Sequence, residues 1–213
     1  MRLISQPVFI IISLLFFIAC NNKENKPAEN GMISSQDSSK IIAPGKKENP
    51  YKIVDISPMD MSYYPDDYPL QKMANAIKTP PLARVIYSRP HLQGRQLFQN
   101  LLKYGDLWRL GANESTELDI YADAYIQDKK IKAGRYVLYC IPQPDNWTII
   151  INSNIDSWGL HPDTTKDIAR FIIPVKQTAN HLEYYTMIFE KTDTGADLLM
   201  AWDNLEARLP FRF

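Results

Sequence analysis

Gly134-Arg-Tyr-Val-Leu-Tyr-Cys-Ile141 is the stretch on which the fold turns. From Tyr136 onward its positions are apolar whichever way they point. Successive side chains of a strand leave on opposite faces, so such a run suits a central strand covered on both sides. Pro142 to Asn146 then makes a turn, and Trp147-Thr-Ile-Ile-Ile-Asn152 returns as a second strand. Upstream, Glu117-Leu-Asp-Ile-Tyr121 alternates, which turns Leu118 and Ile120 inward and leaves Glu117, Asp119 and Tyr121 on the other face. Residues 124–126 and 130–132 flank Gln-Asp-Lys, a hairpin turn. Ala83-Arg-Val-Ile-Tyr-Ser88 opens the series, and 170–175, 182–190, 197–202 and 207–211 complete it. Short strands about ten residues apart, with turn signals between them, predict an all-β domain over 80–213: a single antiparallel β-sandwich, jelly-roll-like.

Helical signal is sparse. Leu70, Met73, Ala74 and Ile77 recur at helical spacing over 70–78, where Thr79-Pro80-Pro81 would stop the helix, and 163–169 allows one further turn. Residues 51–69 mix tyrosines and aliphatics with three prolines, which predicts an extended segment lying on the domain. Residues 20–50 are Asn, Lys, Glu, Ser, Pro and Gly with few aliphatics. They cannot repay the entropy of ordering, so a disordered tether is expected there.

The N-terminus supplies an address. Met1-Arg2 precedes the apolar run Val8-Phe-Ile-Ile-Ile-Ser-Leu-Leu-Phe-Phe-Ile-Ala-Cys20, too short to span a bilayer comfortably and typical of a signal peptide over 1–19. Phe17-Ile18-Ala19-Cys20 resembles a bacterial lipobox, in which cleavage precedes the cysteine and its thiol receives lipid. Each buried methylene of an acyl chain such as palmitate contributes about 0.8 kcal/mol, so two or three chains anchor firmly where one binds marginally. The expectation is a lipoprotein of the bacterial cell envelope, anchored to membrane lipid through acylated Cys20 at the outer membrane. With Cys20 assigned to lipid, Cys140 has no partner and no disulfide is expected.

Lys plus Arg equals Asp plus Glu at 24 each, so no overall field recruits nucleic acid. No Gly-x-Ser-x-Gly, phosphate loop or dinucleotide fingerprint occurs, and no cofactor is expected. His91, His161 and His181 are scattered without the close spacing of metal ligands, so no metal site is assigned. Cys140, mid-strand, reads as a small buried apolar residue.

The densest chemistry lies in Tyr104-Gly-Asp-Leu-Trp-Arg-Leu-Gly-Ala-Asn-Glu-Ser-Thr-Glu117. Trp108 and Leu110 read as core anchors, and Gly111 and Asn113 as backbone specialists at a bend. Arg109, Asn113, Glu114 and Glu117, with Arg89, His91 and Arg95 upstream, form either a structural ion network or a polar ligand site. In the second case arginine and glutamate clamp hydroxyls or a carboxylate. Trp158, in an Asp-Ser-Trp-Gly-Leu-His loop, is the candidate rim aromatic. In the network reading Glu114 turns back to Arg89 and Arg95 as a clamp, and Arg109 pairs with Glu114 or Glu117. The functional expectation is a binding or structural module for an envelope glycan or small polar ligand. The alternative is an envelope hydrolase acting on a glycan through carboxylates near Glu114 and Glu117.

Taken in order, Tyr87-Ser-Arg-Pro90, Gly94-Arg95, Tyr104-Gly105 with Trp108-Arg109, Gly111-Ala-Asn-Glu114 with Thr116, Ala133-Gly134, Tyr136, Ile141-Pro142, Trp147 and Trp158-Gly159 resemble a bacterial envelope family, domain-of-unknown-function family twenty-nine eleven. The chain departs from that pattern at 97–102, which is longer and more polar. The resemblance implies a β-rich domain secreted or lipid-anchored in the envelope, and assigns no activity.

Overall fold

The computed structural model describes residues 56–213. The signal peptide, Cys20 and the tether all fall outside the described residues. Nine strands, β1 (Met59–Tyr64), β2 (Ala83–Ser88), β3 (Thr116–Ile120), β4 (Ala124–Ile126), β5 (Lys129–Ile131), β6 (Gly134–Pro142), β7 (Asn146–Asn152), β8 (Asp167–Thr192) and β9 (Gly195–Arg212), form one open sheet. The order is β1-β2-β3-β6-β7-β8-β9-β4-β5, and every pairing is antiparallel.

The central-strand reading of β6 is met on both faces. Tyr136, Leu138 and Cys140 enter the main core, while Val137 and Tyr139 join Ile150 in a smaller cluster backed by Leu107 and Ile141. Leu118 and Ile120 of β3 are buried as their alternation requires. Asp119 shares the opposite face and is also buried, because Arg84 reaches across from β2 to bond it at 2.5 Å. Cys140 is fully buried, and its thiol pKa is pushed well up by that burial.

Two differences from the sequence reading have clear causes. First, the segments 170–175 and 182–190 are parts of one strand of 26 residues, and 197–202 and 207–211 belong to one of 18. Polar residues between the apolar runs conceal this continuity. They coincide with register shifts around Leu182 and with Asp203 at positive φ, where the paired strands bend without separating. The first part of β8 pairs with β7 and the rest with β9, so this single strand joins what the sequence presents as separate strands.

Second, 59–64 is not merely laid on the domain; it is an edge strand paired with β2. Pro58 and Pro65 bound it without interrupting it, as edge position permits. The helix is shorter than expected, α1 (Tyr68–Met73), with no buried residue. Asn75 in the left-handed region ends it before Ile77. The opposite edge, β5, carries Lys129 and Lys130, charges that discourage pairing with another chain. The turn expected near 163–169 is a short 3-10 turn, Thr164–Lys166, whose start is capped by Asp163 accepting from Thr165 N–H.

The candidate cleft beneath Arg109

The link from β2 to β3 brings the reactive residues to one end of the sheet. Trp108 bridges to Cys140 of β6 through reciprocal backbone hydrogen bonds of 2.8 and 2.7 Å. Its ring meets Trp147, Tyr185 and Trp202 at centroid distances of 5.8, 4.9 and 5.9 Å, edge-on to the first two and stacked on the third. Leu110 follows at φ 55°, a left-handed conformation unfavourable for a leucine. Complete burial and the Thr116 hydroxyl, donating to the Leu110 carbonyl at 2.7 Å, hold it there. Asn113 takes the left-handed geometry its type tolerates, φ 59°. Gly111 sits at a close approach: a Cβ there would lie 3.1 Å from the Ser88 carbonyl oxygen, so the neighbouring backbone would have to give by a few tenths of an ångström.

This loop and the 153–160 loop are tied together. The Ser115 hydroxyl donates to the Ser157 carbonyl at 2.7 Å, and Gly159 lies against Ser115 and Arg109. Between them and the one-turn π-helix Leu97–Leu101 opens a cleft of about 420 Å³. Trp108 and Trp202 form its inner surface, Leu101, Leu102, Leu107 and Leu160 its apolar walls, and Lys103, Asp106 and Arg109 its charges. Its size falls in the ordinary range for small-molecule sites, about 300–1,000 Å³.

Arg109 stands out among the cations. It is half-buried, and its Nε is buried with no hydrogen-bond partner. Among the described residues no carboxylate lies within ion-pair distance of it. Burial lowers its pKa, and the Glu114 carboxylate, acting at longer range, pulls partly the other way. The guanidinium is thus partly stripped of water with, among the described residues, only the longer-range Glu114 carboxylate in exchange.

The other expected site residues disperse. Arg89 pairs with Asp60 of β1 at 3.2 Å, donates to Thr186 Oγ1 and the Tyr185 carbonyl, and lies over the Tyr184 ring. Arg95 donates to the carbonyls of Leu92 and His91, bracing its own turn. His91 stacks on Tyr184 with Nδ1 3.7 Å from Glu183, and its Nε2 is buried without a partner. Glu117 pairs with Arg135 at 2.9 Å on the face of the sheet. Glu114 is exposed. Trp158 is 58% exposed, next to the cleft residues Gly159 and Leu160, as a rim aromatic would be.

The clamp joining Glu114 to Arg89 and Arg95 is therefore not formed. Arg89 is satisfied by Asp60, on a segment whose strand character the sequence hides, and Arg95 by backbone. Glu114→Ala should consequently change stability by no more than about 0.5 kcal/mol, as for an ordinary surface site; a melt displaced by several degrees would contradict this placement. The sequence reading also misses Leu101, Leu102, Lys103 and Leu160 as cleft residues, and Trp202, read as core, is both core and cleft floor.

Among the described residues no group of three or more His, Cys, Asp or Glu is arranged to hold a metal ion, and no helix is long and apolar enough to cross a membrane. No curated protein and no solved structure matches the chain. Residues 69–211, which include every residue lining the cleft, match the family described as "Protein of unknown function (DUF2911)". The chain belongs to the DUF2911 family.

Proposed function

We propose that this protein is a binding module of the bacterial cell envelope, anchored to the outer membrane through acylated Cys20, and that Arg109 is the recognition group of its cleft. The observation that carries the site is half-buried Arg109 in the lining of a cavity of ligand size, with its Nε buried and lacking a hydrogen-bond partner. Such a cation gains more from an incoming anion than a fully solvated one, since the lower local dielectric strengthens the pair and part of its hydration is already lost. The ligand is then a small molecule or envelope glycan carrying an acidic group, and Trp158 stands at the entrance.

The fold reading that accompanies this is sandwich-like. The main core draws residues from β2, β3, β6 and β7 together with β8 and β9, and the Tyr64 hydroxyl donates to the Gly195 carbonyl across 131 positions of chain. We read the long β8 as the strand about which the open sheet folds over itself, with the cleft at one end of the enclosed core.

Arg109→Leu tests the site. Melts of the two proteins against a panel of small carboxylates and their neutral amides should show acid-dependent stabilisation in the parent and none in the variant. Without ligand the two should melt within a few degrees of each other, because among the described residues no carboxylate lies within ion-pair distance of Arg109. Stabilisation that persists in Arg109→Leu would place recognition elsewhere.

A further inference from the structure

Resting on that reading of Arg109, we infer that the cleft takes an amphipathic monocarboxylate, an acidic headgroup on an alkyl or aryl body, in preference to a polyhydroxyl acid. The walls decide this. Both tryptophans have already committed their only polar group: Trp108 Nε1 donates to the Gly111 carbonyl at 3.2 Å, and Trp202 Nε1 to the Glu183 carbonyl at 3.2 Å. What they offer the cleft is apolar ring. Leucines 101, 102, 107 and 160 add aliphatic surface, and the first three are half-buried, so this surface is already partly withdrawn from water. Side-chain hydrogen-bonding groups in the lining are confined to Lys103, Asp106 and Arg109. A sugar acid has several hydroxyls to satisfy, and beyond Lys103, Asp106 and Arg109 it would have to find backbone groups of the lining to receive them. An alkyl or aryl body loses nothing there and gains by burial.

Charge selects the headgroup. Lys103 and Arg109 against Asp106 leave the lining with one net positive charge, matched to a monoanion. Arg109 is the half-buried cation, so the carboxylate belongs on it, while the exposed Lys103 is screened by water. A cationic amphiphile would meet a guanidinium that only the longer-range Glu114 carboxylate offsets.

Titration calorimetry with hexanoate, octanoate, decanoate, decan-1-ol and glucuronate tests this on the parent protein, Arg109→Leu and Leu160→Asp. Leu160 is exposed, so its replacement introduces a carboxylate into the cleft without disturbing the core and keeps the test open if Arg109→Leu folds poorly. Expected is tighter binding by about fourfold per added methylene. Arg109→Leu should weaken decanoate by about tenfold or more, Leu160→Asp should abolish its binding, and decan-1-ol should respond little to Arg109→Leu. Glucuronate binding as tightly as decanoate, with the same dependence on Arg109, would overturn the amphipathic class and leave the Arg109 site standing. Alkanoates that bind regardless of both substitutions, or give no heat, overturn the inference. If no carboxylate of either kind responds to Arg109→Leu, the proposed site falls with it.

Discussion

Trp108→Ala should destabilise the protein by about 3–5 kcal/mol, the range for deleting a large aromatic from a core. Trp108 is only 7% exposed, and it joins Trp147, Tyr185 and Trp202 into one aromatic cluster while its backbone bridges to β6. Truncation leaves a cavity lined by rings that cannot close over it without breaking their own edge-on contacts. It also removes the hydrogen bond from Nε1 that helps fix the Gly111 carbonyl, so the loop carrying Arg109 loses its footing. At about 2–4 °C per kcal/mol for a domain of this size, the midpoint should fall by about 6–20 °C. Trp158→Ala is the matched control. That ring is largely exposed, and its loss should stay within about 0.5 kcal/mol. Equal effects of the two substitutions would refute the division of roles between buried floor and exposed rim.

Gly159→Ala should have the second largest effect, and for a different reason. Gly159 has φ +86°, where an L side chain costs about 1–2 kcal/mol. A Cβ there would lie 2.6 Å from Ser115 Oγ and 3.2 Å from both Cβ and Cδ of Arg109. The hydroxyl cannot swing away freely, because it donates to the Ser157 carbonyl. Adding a further 1–3 kcal/mol, the usual cost of overpacking, gives a total of about 2–5 kcal/mol. The same methyl pushes on the stem of Arg109, so ligand binding should weaken even at temperatures where the variant is fully folded. Equilibrium urea unfolding and carboxylate titration of one preparation check both halves. Normal stability with normal binding would show that the two loops are not in contact as described.

The elements legible in the sequence are those whose pattern is local. β2, β3, β6 and β7 declare themselves through alternation or a doubly apolar run, and Trp108 and Leu110 are recognisable anchors because each sits in such a pattern. β8 and β9 are less legible because a long strand that changes partners must cross a region where neither face is consistently buried, and alternation fades there. β1 is obscured for the opposite reason. As an edge strand it turns Met59 and Met61 outward, so it lacks the inward stripe that marks a strand.

Of the proposed site, Arg109 and the rim aromatic Trp158 were legible in the sequence, and the assembly around them was not. Arg109 could be singled out because it lies between two core anchors, but its cleft partners come from segments more than a hundred residues apart, Pro90 at one end and Trp202 at the other. Only the topology brings them together. Arg89 shows the converse. Its carboxylate partner, Asp60, lies on the least recognisable strand, so the bend expected at Gly111 and Asn113 suggested Glu114 instead.

The most direct measurement is heteronuclear NMR of the arginine side chains during titration with decanoate. The account predicts that the Arg109 Nε–H resonance shifts and saturates with the binding isotherm, while those of Arg89, Arg95 and Arg135, held by Asp60, backbone carbonyls and Glu117, stay close to their starting positions. An Arg109 resonance that stays fixed while another arginine moves would contradict it.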